Sequence, residues 1–419
     1  MGLNLALGLA LLSLVVVLAF AVARPRGWPE AFAAIPAVVV LIAVGAISMH
    51  DATAEAARLS RVVAFLGAVL VLAKMCDDEG LFEAAGAAMA RARFGSRRLL
   101  RQVFVIAATI TAVLSLDATV VLLTPVVFAT AARLEARAKP HLYACTHLSN
   151  SGSLLLPVSN LTNLLAFSAS GLAFGRFAGL MALPWLAVIG TEYVVFGRFF
   201  ATDLDAGARP PGDGDERARE VPVFTLAVVA VTLAGFVITS AAGVNPAWAA
   251  LAGVVVLGAR AFAQRRTSAA ELARAADAPF LVFVLCLGIV VRALTGNGLG
   301  GALRPLMPAG TSLPALLAIA ALAAAVANVL NNLPAVLVLL PLAVPSGPGA
   351  ILAVLLGVNI GPNLTYTGSL ATLLWRRVLR QHGSGPSLWE FTRLGLLTVP
   401  AGLVIAVLGL WAALHALGG

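Results

Sequence analysis

The sequence predicts an all-α polytopic membrane protein: two inverted-topology repeats, about ten transmembrane helices, two re-entrant hairpins and two broken helices. Three observations predict it. The chain of 419 residues is 60% hydrophobic and only 11% charged, too little charge for the surface of a water-soluble fold of this size. Apolar runs of about 18–25 residues recur along its length, each able to cross roughly 30 Å of hydrocarbon as a helix. A β-barrel would show short alternating segments instead. Finally, one order of apolar runs and polar interruptions occurs twice, on either side of a polar stretch near the midpoint.

The elements follow in order. The run 3–23 is too long for a signal-peptide core, with no basic segment before it and no clear cleavage site after it, so it reads as a retained span. Spans follow at 31–48 and 60–75, then an interfacial connecting helix with an Arg-rich face within 80–101. The apolar stretch 102–131 is interrupted by Ser115, Asp117 and Thr119, and then by Thr124 and Pro125. It is too long for one span and too broken for two, so it reads as a re-entrant hairpin. A broken span at 141–167 and a span at 177–200 complete the first repeat, 1–201. Residues 202–220, rich in Gly, Pro and charge, read as a cytoplasmic linker. The second repeat, 221–419, has spans at 221–240, 246–263 and 279–296 and a connecting segment at 297–308. A hairpin at 311–345, a broken span at 349–375 and a last span at 391–417 complete it.

Charge tests this layout. The net charge is +9. Arg24 and Arg26, the Arg91–Arg101 cluster, Arg133, Arg137 and Lys139, the Arg260–Arg274 cluster, and Arg376, Arg377 and Arg380 all fall on one face. The positive-inside rule makes that face cytoplasmic and the membrane the cell's inner (plasma) membrane. A loop holding Asp51 and Glu55, the turn 242–246 and both termini then lie outside. Nucleic acid is excluded as a partner, because no basic, aromatic-bearing soluble domain is present. Cys76, Cys145 and Cys286 are scattered and form no CxxC pair, so neither a disulfide framework nor a bound metal is expected. No cofactor motif is found, and neither a second membrane aspartate for a protease dyad nor an HExxH motif, so an enzyme is not expected.

Four segments hold nearly all the unusual polarity. The hairpin tips carry Ser115, Asp117 and Thr119 in the first half, and Asn328, Asn331 and Asn332 in the second. The first broken span carries Asn150, Ser151, Pro157, Asn160 and Asn163; the second carries Asn359, Pro362, Asn363, Thr365 and Ser369. Non-helical backbone at membrane depth survives only where it is buried in protein or lines a wet cavity. Gly and Pro break the helix there, while Ser, Thr and Asn bond the freed backbone groups. Broken elements at corresponding positions of two halves point to a midplane binding site and a secondary transporter. An ionised Asp117 at the centre of an apolar element costs several kcal/mol, so it requires a proton, a partner or water; it reads as the proton-coupling residue. Glu192, nearer a helix end, reads as snorkelling or structural, and His141 and His147 as interfacial.

At these motifs the chain is recognisable. Asp117-Ala-Thr-Val-Val-Leu-Leu-Thr-Pro125, Leu156-Pro-Val-Ser-Asn-Leu-Thr-Asn163, Asn331-Asn-Leu-Pro334 and Gly361-Pro-Asn-Leu-Thr-Tyr-Thr-Gly-Ser-Leu-Ala-Thr-Leu-Leu-Trp375 resemble the arsenite/antimonite efflux pumps (ArsB-type) of the ion transporter superfamily. The resemblance spans nearly the whole chain. One departure is Leu116-Asp117, where the family usually has an Asn-Asp pair. The resemblance implies export of trivalent arsenite or antimonite hydroxide in exchange for protons. Some relatives work with a soluble ATPase, a partner implied by family alone. Arsenite is an uncharged trihydroxide and requires hydroxyl-bonding groups rather than countercharges. Ser115, Thr119, Asn150, Ser151, Asn160, Asn163, Asn328, Asn331, Asn332, Asn359, Asn363, Thr365 and Ser369 are the expected substrate-binding residues. The alternatives are a sodium/proton antiporter or a superfamily member carrying a small anion.

Overall fold

A computed structural model describes residues 3–23, 25–90, 95–205, 222–381 and 385–417. Among them the regular structure is helical throughout, with no strand. The first half comprises α1 (Leu3–Ala23), α2 (Ala31–Ala43), α3 (Met49–Asp78), α4 (Leu81–Ala90), α5 (Ser96–Val113), α6 (Leu116–Ala118), α7 (Thr124–Arg133), α8 (Lys139–Ser151), α9 (Leu161–Ser170), α10 (Phe174–Phe199) and α11 (Ala201–Asp205). The second half comprises α12 (Val223–Ala241), α13 (Ala247–Ala263), α14 (Ala269–Ala275), α15 (Ala278–Leu294), α16 (Gly300–Leu303), α17 (Leu313–Leu330), α18 (Asn332–Ala343), α19 (Pro348–Ile360), α20 (Leu370–Gln381) and α21 (Leu388–Leu417).

Among the described residues, α3, α10, α12, the run Ala269–Leu306, α17 and α21 are long and apolar enough to cross a membrane. Their apolar surface faces outward as well as inward: Val223, Val231 and Ile238 of α12 are exposed. That pattern suits a lipid environment, where outward side chains need no polarity.

The predicted spans coincide with helices, with one instructive difference. The expected outer loop holding Asp51 and Glu55 is helical and forms the first turns of α3. Ser48 accepts the Asp51 N–H at 3.0 Å as N-cap, and Glu55 pairs with Arg58 one turn on. Local capping and an i,i+3 pair extend the helix beyond its apolar stretch. Of the expected Arg-rich connecting helix, α4 is present; Arg91 and Arg93 lie outside the described residues, and Arg97, Arg98 and Arg101 begin α5 instead. The expected linker starts with a helical turn, α11, and its remainder lies outside the described residues.

Each half contains two helices that meet at a polar turn, followed by a helix broken in its middle. In the first, α5 meets α6 and a π-helical turn, Thr119–Leu123, leads into α7. The π turn has a local cause. Pro125 has no N–H for the carbonyl four residues back, and the Thr124 N–H bonds Thr119 O, one residue further than in an α-helix. In the second, α17 meets α18 at Asn331. The 18 residues of α17 extend about 27 Å and the 12 of α18 about 18 Å, so the arms are unequal.

The core is formed by helices of both halves: α10 lies along α21, α9 packs on α18 and α19, and α3 on α15. Glycines permit the closest contacts. A Cβ at Gly361 would lie 2.7 Å from the Cα of Ala324, and one at Gly409 3.1 Å from the backbone N of Pro184. Small residues that let helix backbones touch are the usual device of membrane packing.

At one end, ion pairs join the basic clusters to acidic residues. Arg97 meets Asp205 at 2.8 Å, Arg137 meets Asp203 at 2.6 Å, and Lys139 reaches both Asp203 (3.4 Å) and Glu390 (2.9 Å). Asp203 feels burial first, which raises its proton affinity, but the bonds and charges of Arg137 and Lys139 together hold its carboxyl below the usual range.

Candidate functional site

The two broken helices cross at the centre of the molecule. The first is α8, a 3-10 turn at Gly152–Leu155, a second at Pro157–Ser159, and α9. The second is α19, a 3-10 turn at Gly361–Leu364, an irregular stretch, and α20. Pro157 and Pro362 each deprive the ladder of a donor where it breaks. The freed carbonyls then require side-chain partners, because no water reaches this depth unaided. Asn163 donates to Ser153 O (2.6 Å) and Leu156 O (2.9 Å), and Trp185 donates its indole N–H to Gly152 O (2.9 Å). Asn328 donates to Gly361 O at 2.9 Å. Asn160 and Ser369 cap the resumed helices, accepting from the N–H groups of Thr162 and Ala371.

The crossing itself is a network of buried side chains. Asn359 accepts from Thr162 (2.8 Å) and Asn160 (3.3 Å) and donates to Asn163 (2.8 Å), so three residues of the first broken helix close on one of the second. Deeper along α8, Asn150 donates to Asn363 Oδ1 at 2.8 Å. Asn363 in turn donates to His147 O (3.2 Å) and to Glu192 Oε1 (3.1 Å), while Ser151 donates to Glu192 Oε2 (2.7 Å). All of these groups but Asn160, at 7%, are at most 1% exposed. Several polar atoms here have no hydrogen-bond partner among the described residues: Asn150 Oδ1 and Thr146 Oγ1, one turn apart on the same face of α8, and both ring nitrogens of His147.

The second hairpin is fastened to the second broken helix. Asn331 donates to Thr367 O (3.0 Å), the Asn332 N–H to Gly368 O (2.9 Å), and Thr365 to Asn328 Oδ1 (2.7 Å). Asn331 holds φ 78° and ψ 158°, a conformation that glycine enters far more readily than asparagine. The first hairpin has its counterpart tie, Ser159 donating to Ala112 O.

Thus Asn150, Ser151, Asn160, Asn163, Asn359 and Asn363 are gathered into one buried network. Asn328, Asn331, Asn332 and Thr365 form a second cluster at the α17–α18 turn. Ser115 and Thr119 are engaged within their own hairpin: Ser115 Oγ accepts the Ala118 N–H at 3.1 Å, and Thr119 shares a 2.6 Å hydroxyl bond with Thr111. Ser369 serves as a helix cap. Asp117 belongs to the turn α6 between them; its side chain lies outside the described residues. Sequence reasoning did not select Glu192, His147, Thr146, Thr162 or Thr372. The signal was present for Glu192, an acid within an apolar run, but its partners lie 41 and 171 residues away.

A separate cavity of about 540 Å³ is lined by Glu55, Arg58, Arg292 and Arg304 among others, and by none of the predicted site residues. Among the described residues no group of His, Cys, Asp and Glu could hold a metal ion. Cys76, Cys145 and Cys286 lie on three different helices, α3, α8 and α15.

Comparisons with known proteins agree on the class. An arsenical pump membrane protein from Yersinia enterocolitica is 28% identical over 411 residues, covering 92% of this chain and 94% of the relative. One from Escherichia coli is 27% identical over 399 residues, covering 90% and 92%. An uncharacterized transporter from Mycobacterium tuberculosis is 25% identical over 369 residues, covering 84% and 85%. Among solved structures, the Alcanivorax borkumensis YdaH transporter, described as having an unusual topology, matches with a TM-score of 0.61 and 16% identity over 88% of each chain, a likeness of fold. The family model described as citrate transporter (CitMHS) matches residues 6–361, most of the chain up to the start of the second break, and the chain belongs to that family of membrane transporters.

Proposed function

We propose that this protein exports trivalent arsenite or antimonite hydroxide across the inner membrane in exchange for protons. Its two halves would act as inverted-topology repeats, 1–201 and 221–419, joined by the linker 202–220. The observation that carries the reading is the chemistry of the buried crossing. Its side chains are mostly neutral amides and hydroxyls, with Glu192 and His147 at one edge, and Asn150 Oδ1 and Thr146 Oγ1 stand without partners among the described residues. Unpartnered buried acceptors are costly, and three O–H donors on one uncharged solute would satisfy them. The arsenical pumps among the relatives support the same substrate.

The family's description suggests a second reading, a carboxylate substrate. Burying an anion with three carboxylates requires countercharge. Among the described residues no Lys or Arg is buried, so three carboxylates at the crossing would find no permanent countercharge there. The neutral hydroxide suits it better. Asp117 would carry the coupled proton, alternately protonated and ionised as the site faces each side.

Arsenite uptake into everted vesicles under an imposed proton gradient tests the proposal. Accumulation that an uncoupler abolishes is expected. Absence of accumulation, in vesicles that contain folded protein, would overturn the arsenite reading.

A further inference from the structure

We infer that Glu192 and His147 form a second proton-holding site, distinct from Asp117, whose charge state governs the hydrogen bond joining the two broken helices. The inference deepens the proton-coupled reading above and rests on it for its place in transport.

Glu192 on α10 is 1% exposed and His147 on α8 fully buried. Both donors to the carboxylate, Ser151 and Asn363, are neutral. His147 Nδ1 lies 3.7 Å from Glu192 Oε1, and neither ring nitrogen has a hydrogen-bond partner among the described residues. Phe196 and Phe391 close over the imidazole, with ring centroids 5.1 and 5.6 Å away. Several other charged or titratable groups on the surrounding elements make contacts of their own. Tyr143 donates to Ser387 O, Tyr193 packs edge-on against Phe104, and Tyr366 packs against Phe391. Glu390 pairs with Lys139, Arg393 stacks over Phe199, and His141 bonds Ser96. Among the described residues, His147 is the basic group that lies within 4 Å of the Glu192 carboxylate.

One shared proton makes the pair neutral, as acid plus imidazole or as carboxylate plus imidazolium. Loss of that proton to water, once the site opens, leaves a net charge of −1 in apolar surroundings. The two states differ in what they offer Asn363. A carboxylate accepts its Nδ2–H as a charge-assisted bond, whereas a protonated acid accepts it weakly. Asn363 Oδ1 meanwhile accepts from Asn150, whose own Oδ1 is free. A proton arriving at Glu192 thus loosens Asn363, and with it the tie between α8 and the break after α19.

The test combines infrared spectra of purified protein across pH with proton counting in weak buffer as arsenite is added. A protonated-carboxyl band is expected that is absent from Glu192→Gln and whose pH midpoint moves in His147→Gln. Arsenite is expected to displace about one proton fewer from Glu192→Gln than from the native protein. Identical carboxyl bands in native and Glu192→Gln protein, or unchanged proton release, would overturn the proposal. If Glu192→Gln fails to fold, His147→Gln decides: an unmoved midpoint removes the pairing. If the native protein binds no arsenite, the substrate reading fails, while the infrared result, which requires no substrate, still decides the proton site.

Discussion

Asn331 is held in a backbone region that costs a non-glycine residue about 1–3 kcal/mol. Its amide bond to Thr367 O and the adjacent Asn332 N–H to Gly368 O keep it there. Asn331→Ala keeps the strain and loses the amide bond, whereas Asn331→Gly loses the bond but relieves the strain. The glycine variant is expected to unfold later than the alanine variant, by about 1 kcal/mol or more. Thermal unfolding in detergent checks the order, and equal midpoints would remove the strain argument. Asn359 offers a second residue-scale case. Replaced by Leu, it leaves the buried Thr162 and Asn163 groups unpaired, an expected loss of about 1–3 kcal/mol by the same measurement. The sequence pointed to these asparagines because amides inside apolar runs are conspicuous. It did not reveal which would bond backbone, as Asn163 does, and which would keep a free acceptor, as Asn150 does. The carbonyls that Asn163 meets lie 10 and 7 residues away but are freed only by the break, and the partner of Asn150, Asn363, lies 213 residues away.

Elements of this protein are defined by where helices stop. Pro157 and Pro362 mark the breaks in the sequence itself and the structure breaks at both, whereas at Pro125 the helix continues through a π-helical turn. Close helix contact is less legible, because a glycine in an apolar run gives no sign of what it touches. Gly361 illustrates this: its Cβ-to-be meets the Cα of Ala324 on α17 at 2.7 Å. Gly361→Ala is expected to push α17 from the break and to destabilise by about 1–3 kcal/mol, measured by thermal unfolding. The start of the predicted linker was equally hidden, since α11 is fixed by Arg97, Arg137 and Lys139, far away in sequence. Asp203 has its proton affinity lowered by these partners in spite of burial. Its contribution to docking α11 is therefore full above the ordinary carboxylate range and lost as pH falls through its lowered value. Protease cleavage just after α11 is expected to accelerate on acidification in the native protein. In Asp203→Asn it should be fast already at neutral pH; equally slow cleavage in both would show that the ion pairs do not hold α11.

At the scale of the whole molecule, the repeated order of spans, paired helices and broken helices was legible, since a transporter fold is dictated largely by apolar length and by where polarity interrupts it. How the halves interlock was not, because α10 against α21 and α9 against α19 are contacts between distant segments without a sequence signature. That interlocking decides what a coupling residue does. If Asp117 carries the proton, its neutral amide variant holds the first hairpin permanently in the protonated-like state. The halves can still rearrange around a loaded site, because the Asn150–Asn363 joint is intact in that variant. Net uptake driven by a pH gradient requires the empty return to be tied to protonation; exchange of labelled for unlabelled arsenite does not. Asp117→Asn is therefore expected to lose gradient-driven accumulation by an order of magnitude or more while keeping arsenite counterflow, about 1.4 kcal/mol of lost coupling per tenfold. Labelled arsenite flux in vesicles, with and without the gradient, separates the two activities. Loss of both would assign Asp117 to substrate binding, and retention of both would move the coupling proton to the Glu192–His147 pair.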